Sequence, residues 1–130
     1  MDIWDEMYAK ANSVRKPRQL SGYLSCGEVS AAVLGKNRKI YLGVCVDTCS
    51  SLGLCAERNA IFAMLTDGCD RIDKVLAIMP DGKCGPPCGA CRELMMQLGS
   101  GSEDTEIMLD YENKKVITLG ELCPLWWTKE

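Results

Sequence analysis

Cys55-Ala56-Glu57-Arg58 and Pro87-Cys88-Gly89-Ala90-Cys91-Arg92 are the stretches on which the fold of this chain turns. Each stands where a loop gives way to a run of helix formers, Cys55 to Leu65 and Cys88 to Leu98, stopped by Thr66-Asp67-Gly68 and by Gly99-Ser100-Gly101. Between them, Lys74 to Met79 reads as a buried strand and Pro80 to Pro87 as a Gly/Pro-rich loop. Upstream, Val29 to Leu34 and Lys39 to Val46 are β-rich runs separated by Gly35-Lys36-Asn37-Arg38, so a hairpin is expected. Asp2 to Val14 carries Ile3, Met7, Ala11 and Val14 at near-helical spacing, and Arg15 to Ser25 reads as a connecting loop. Thr105 to Leu109 and Lys115 to Thr118 complete the strands. This alternation predicts an α/β fold, with helices packed on a partly parallel sheet, in a single domain over residues 1–130.

Composition narrows the chemistry. Hydrophobic content of 47% and charged content of 25% are ordinary for a soluble globular chain, and no apolar run is long enough to cross a bilayer. The start, Met1-Asp2-Ile3-Trp4-Asp5-Glu6, lacks the basic and apolar regions of a secretory signal, so a cytoplasmic protein is expected. A net charge of −3 offers a phosphate backbone no net attraction, which excludes long nucleic acids as expected partners. The basic groups Arg15, Lys16, Arg18 and Lys36, Arg38, Lys39 read as solvated surface. Nine cysteines, an odd number without a leader, fit reduced thiols and metal ligands better than a disulfide framework. Histidine is absent, so any zinc site leans on thiolates, and any general base is Glu, Asp, Cys, Lys or Tyr.

Cys55, Cys88 and Cys91 offer three thiols to one Zn²⁺, and a zinc held by three protein ligands keeps a fourth position for water, the mark of a catalytic site. Both thiol groups fall at helix starts, where unpaired N–H groups and the dipole favour thiolate. Cys88 and Cys91, three apart, share one helical face. Glu57 is placed to face the bound water and move protons, although a first-turn glutamate on the surface has the same signature. Arg58 and Arg92, directly after the two ligand segments, are expected to hydrogen-bond the ligand sulfurs and offset three negative charges; surface ion pairs are the alternative. Cys84, with Cys45 and Cys49 upstream, also permits a closed four-cysteine site, and Cys88-x-x-Cys91 alone permits a redox pair. Cys26, Cys69 and Cys123 read as small buried hydrophobes.

Together, Cys55-Ala-Glu57-Arg58 and Pro87-Cys88-x-x-Cys91-Arg92 resemble the zinc-dependent cytidine deaminase superfamily, specifically the small oligomeric cytidine deaminases and the blasticidin-S deaminases. Val29 to Leu34 with Lys39 to Gly43 is similar to the family's first hairpin, and Gly120-Glu121-Leu122-Cys123-Pro124 to its C-terminal Glu-Leu-Leu-Pro segment. The resemblance implies a three-layer α/β/α fold with a mixed five-stranded sheet and helices on both faces. It implies Cys55, Cys88 and Cys91 as zinc ligands, Glu57 as proton shuttle, Arg58 as partner of the sulfurs, and the backbone at Ala56 and Pro87 as the holder of the pyrimidine edge. The implied reaction is hydrolytic deamination of a free cytosine-type nucleoside, cytidine or deoxycytidine, to its uracil form, by a homo-oligomer and most simply a homotetramer. Blasticidin-S-like aminopyrimidines are the alternative substrates, and a catalytically inactive zinc-stabilised binding module is the alternative function.

Departures from the family pattern concentrate on the sugar. Gly27 stands where an aromatic packs on the base, Ser30 where a glycine stands, and Cys45 and Asp47 where an Asn and a Glu bind ribose hydroxyls. Asp47 can still accept hydroxyl protons, whereas Cys45 donates weakly and accepts poorly. Glu28 is a further carboxylate able to meet a cationic or hydroxylated group. Trp126 and Trp127 either cover a pocket or anchor a subunit interface, and large aromatics favour the interface.

Overall fold

The computed structural model describes residues 1–128. Helix α1 (Ile3–Val14) starts at Asp2, whose carboxylate accepts from the Asp5 N–H while the Asp5 carboxylate accepts from the Asp2 N–H, a reciprocal cap. Strands follow at β1 (Arg18–Gln19), β2 (Leu24–Gly35) and β3 (Ile40–Thr48), then helix α2 (Ala56–Thr66), strand β4 (Ile72–Ile78) and helix α3 (Gly89–Met96). Strands β5 (Glu106–Asp110) and β6 (Lys115–Thr118) and a one-turn helix α4 (Leu119–Leu122) complete the order. Every element expected between Asp2 and Thr118 is present. The chain adds α4 and β1, which is too short to carry any periodicity; it pairs Arg18 with Cys26 and Gln19 with Ser25.

One mixed sheet of six strands results, β1 forming a two-residue extension of the five longer strands. The long strand β2 is its spine: β3 lies antiparallel along one edge, while β1 and β4 follow one another along the other. β4 and β5 form the parallel pair, and β6 returns antiparallel. Strand alternation divides the interior into two layers. Ala32, Leu34, Leu76, Ile78 and Met108 face Met7 and Ala11 of α1. Val33, Val75 and Ile107 face Ala60, Ile61 and Met64 of α2 and Cys91 and Met95 of α3. The architecture is therefore the expected α/β/α sandwich. Among the described residues no helix is long and apolar enough to cross a membrane.

Two glycines set the position of the site. A Cβ on Gly43 of β3 would lie 2.4 Å from the Ala56 carbonyl oxygen and 2.6 Å from the Ala60 nitrogen, so the first turn of α2 rests directly on the strand backbone. The Asn59 side-chain amide holds the same contact by donating to the Val44 carbonyl at 3.2 Å. Gly27 sits in the irregularity where β2 runs from Cys26 to Ser30 while β3 runs only from Val46 to Val44. Its φ of +88° is left-handed, and a Cβ there would lie 2.2 Å from the Lys16 carbonyl oxygen. An aromatic at this position is sterically impossible in this backbone, which accounts for the first departure from the family pattern. Ser30 has a structural use as well: its buried hydroxyl donates to the Ala11 carbonyl at 2.7 Å and ties α1 to the sheet.

Candidate metal centre and substrate cavity

Cys55 and Cys88 are the N-cap residues of α2 and α3, both in extended conformation, and neither uses its side chain to cap. Their carbonyls accept the first helical bonds, from the Asn59 N–H at 3.1 Å and the Arg92 N–H at 3.0 Å. The sulfurs are therefore left free at two helix N-termini. Cys91 lies three residues into α3 and is fully buried. Sγ of Cys88 is 3.4 Å from Sγ of Cys55 and 3.5 Å from Sγ of Cys91, and all three lie within 4.8 Å of one another. A tetrahedral zinc with bonds of about 2.3 Å to sulfur separates its ligand atoms by roughly 3.8 Å, so these thiols surround a zinc with little adjustment. All are unbridged, and soft thiolates are a donor set suited to zinc.

The electrostatics of the cluster favour a bound cation. Burial, the charge of Glu57 and the neighbouring sulfurs push the Cys91 thiol far up from its ordinary range. Burial also opposes ionisation of Cys88, but the N–H groups of Cys91 and Ala90 and the two adjacent thiols more than compensate and bring it below the ordinary value. Three thiolates at this spacing repel unless a cation sits among them. Arg58 supplies part of the charge: Nη2 donates to Sγ of Cys55 at 3.5 Å, and contact with Cys55 and then Cys91 raises the guanidinium above its usual range.

Arg92 corrects the expectation from the sequence. Its Nε donates to the Pro87 carbonyl at 2.8 Å and its Nη1 to the Leu122 carbonyl at 3.3 Å, so it braces the start of α3 against α4 and makes no bond to sulfur. Arg92, four residues after Cys88, also reaches back over the start of its helix, but there it meets the Pro87 carbonyl and its other arm turns to α4, whereas Arg58, three residues after Cys55, reaches sulfur. Cys45, Cys49 and Cys84 are outside the cluster. Cys84 packs with the α1 core on the other side of the sheet, where burial pushes its thiol up to about 12. The four-cysteine arrangement permitted by sequence is not formed.

Glu57 is not the surface glutamate that its sequence position also allowed. It is 4% exposed, and burial raises its carboxyl above the ordinary range, against the opposing effects of its own N–H and of Arg58. It lines a cavity of about 240 Å³ together with Cys55, Cys88, Ala56, Cys45, Val29, Met79 and Pro86. A second cavity of about 350 Å³ shares Cys45 and Cys55 and continues past Asp47, Thr48, Ser51 and Arg58. A small apolar chamber beside the thiols thus adjoins a more polar one. Of the residues expected around a substrate, Ala56 lines the inner cavity, Asp47 the outer and Cys45 both. Pro87 is buried and engaged by Arg92, while Glu28 is exposed in the β2 irregularity and lines neither cavity. Cys45 is already partly engaged: its sulfur accepts from the Val29 N–H at 3.3 Å and lies 3.9 Å from the Asp47 carboxylate.

Val29 and Met79 were not legible as site residues. They meet because β2 pairs with β4 through Ser30 and Ile78, a register that no local pattern reveals.

Comparison with known proteins converges on this geometry. The family described as the cytidine and deoxycytidylate deaminase zinc-binding region matches residues 5–103. A cytidine deaminase of Halalkalibacterium halodurans is 32% identical over 106 residues, covering 79% of each chain. One of Sporosarcina psychrophila is 34% identical over 105 residues, covering 78% of this chain and 76% of the relative. Among solved structures, the cytidine deaminase of Mycobacterium leprae superposes with a TM-score of 0.76 at 28% identity, over 95% of this chain and 99% of that one. That of Burkholderia pseudomallei gives 0.72 at 26% identity over 96% and 98%. With the three thiols, the buried carboxylate and the sandwich all in place, the chain belongs to the cytidine and deoxycytidylate deaminase zinc-binding family.

Proposed function

We propose that this chain is a zinc-dependent hydrolytic deaminase of a free cytosine-type nucleoside, cytidine or deoxycytidine, releasing ammonia and the uracil form. The observation that carries the reading is the buried Glu57 carboxylate in the same small cavity as Cys55 and Cys88 of the three-thiol cluster. Cys55, Cys88 and Cys91 would hold the zinc, and the zinc when bound supplies a Lewis acid with one open position for water. Glu57, kept away from bulk water, would take one proton from the attacking water and pass it to N3 of the pyrimidine as oxygen adds at C4. It would then take the second from the new C4 hydroxyl and pass it to the amino group, so that the C–N bond breaks and ammonia leaves. Arg58 keeps charge at Cys55 in check, and Val29, Met79 and Pro86 give the flat base an apolar enclosure. The proposed assembly is a homo-oligomer, a tetramer by the family resemblance, with the exposed Leu125 and Trp127 available for a subunit contact.

The test is ammonia release by the zinc-loaded chain from cytidine, deoxycytidine, cytosine and blasticidin S. Turnover of either nucleoside supports the reading, turnover of blasticidin S alone moves the substrate to its neighbour class, and no release from any of them overturns it.

The sugar end makes a more particular prediction. Cys45, bonded to the Val29 N–H and beside Asp47, offers a hydroxyl little, and an amide there both donates and accepts. Cys45→Asn should raise kcat/KM for cytidine by roughly 2- to 10-fold, the worth of one net hydrogen bond of about 0.5–1.5 kcal/mol, with zinc content unchanged. An unchanged or lower kcat/KM would place the ribose elsewhere.

A further inference from the structure

The segment after α4 lies back on the thiol helix. Glu93, two residues beyond Cys91 on α3, accepts from the indole N–H of Trp126 at 3.1 Å through Oε1. The Trp127 indole N–H reaches both oxygens of the same carboxylate, at 3.3 and 3.1 Å. Gln97, one turn on, donates to Oε2 at 2.7 Å and fixes the carboxylate on the helix. The two indoles meet edge to face with centroids 5.7 Å apart, and Trp126 packs with Leu122 and Cys123 on the core cluster that contains Cys91 and Met95. Next to Glu93, Arg92 joins the Pro87 carbonyl to the Leu122 carbonyl. Consecutive residues of α3 thus carry a thiol of the cluster, a brace to α4 and a double anchor for the tail.

We propose that Glu93 is a positioning residue for the metal centre: by gripping Trp126 and Trp127 it straps the C-terminal segment onto α3 and holds Cys88 and Cys91 at the spacing that retains zinc. The inference rests on the zinc reading above. It gives the two tryptophans a task within their own chain, whether or not their exposed edges also meet another subunit. A helix of two turns, Gly89–Met96, has little intrinsic stability and needs such tertiary support to keep its N-terminal thiols in place.

The test compares wild type, Glu93→Ala, Glu93→Gln and Trp126→Phe/Trp127→Phe, all loaded with zinc, by the rate at which a chromophoric chelator removes the metal. The phenylalanine pair keeps one aromatic ring at each position and deletes both N–H donors, while Glu93→Gln leaves both indoles and their packing intact. Glu93→Ala and the phenylalanine pair should release zinc roughly 10-fold faster or more, as loss of groups that orient metal ligands does, with Glu93→Gln intermediate because one acceptor oxygen survives. Cobalt-substituted protein should report the same order through its sulfur-to-metal absorption. Variants that melt earlier yet release zinc at the wild-type rate would show the strap to be structural only and overturn the inference. A wild-type chain that holds no zinc overturns both this inference and the proposed function, whereas wild-type zinc with unaltered release in every variant overturns the strap alone.

Discussion

Glu57→Gln is expected to abolish ammonia release while leaving zinc bound at one ion per chain. The substitution keeps size and polarity at a position that is 4% exposed, so the cavity and helix α2 persist. It removes the one property the mechanism needs there, exchange of a proton. General acid–base groups contribute about 10²- to 10⁴-fold, and Glu57 is asked to act more than once in each turnover, so a loss at the upper end of that range is the expected result. Metal is retained because the cluster consists of three sulfurs and Glu57 contributes none. The measurement pairs ammonia release with metal analysis of the same sample; substantial residual turnover would remove Glu57 from the reaction, and parallel loss of zinc would make it a ligand.

Cys88→Ser should have the larger effect on the metal. Cys88 is the central member of the cluster, 3.4 Å from one partner sulfur and 3.5 Å from the other, and its environment favours ionisation. A serine hydroxyl stays protonated near neutral pH and is a poor ligand for zinc beside two thiolates. The variant should purify with far less than one zinc per chain and show no ammonia release. Added zinc should raise the melting temperature of wild type and leave that of Cys88→Ser nearly unchanged, since only a binding-competent fold gains from ligand. Equal zinc content in both proteins would exclude Cys88 from the site.

Local pattern carried much of this account. The helical spacing of Ile3, Met7 and Ala11, the hairpin turn at Gly35 to Arg38 and the helix stops at Gly68 and Gly99 placed the main elements. The thiols were legible because chemistry restricts them: without histidine, three cysteines at two helix starts leave few other uses. What sequence could not convey was tertiary partners and register. Arg58 and Arg92 each lie within about one turn of an N-cap cysteine, yet one reaches sulfur and the other the carbonyls of Pro87 and Leu122. Gly27 read as the loss of an aromatic, and the backbone shows why: its left-handed φ and the Lys16 carbonyl leave no room for a side chain. Glu28, next to it, is carried outward by the same irregularity and away from the cavities. The tail tryptophans were ambiguous because their partner, Glu93, lies more than thirty residues away. The tool for such features is tertiary geometry, which composition and spacing do not contain.

X-ray absorption at the zinc edge of the loaded chain distinguishes three thiols with one open position from a closed site. Three sulfur scatterers at about 2.3 Å and one lighter scatterer are expected, the lighter one lost or altered when a cytosine nucleoside analogue is added. Four sulfur scatterers, unchanged by the analogue, would mean a closed structural site and would rule out the hydrolytic reading.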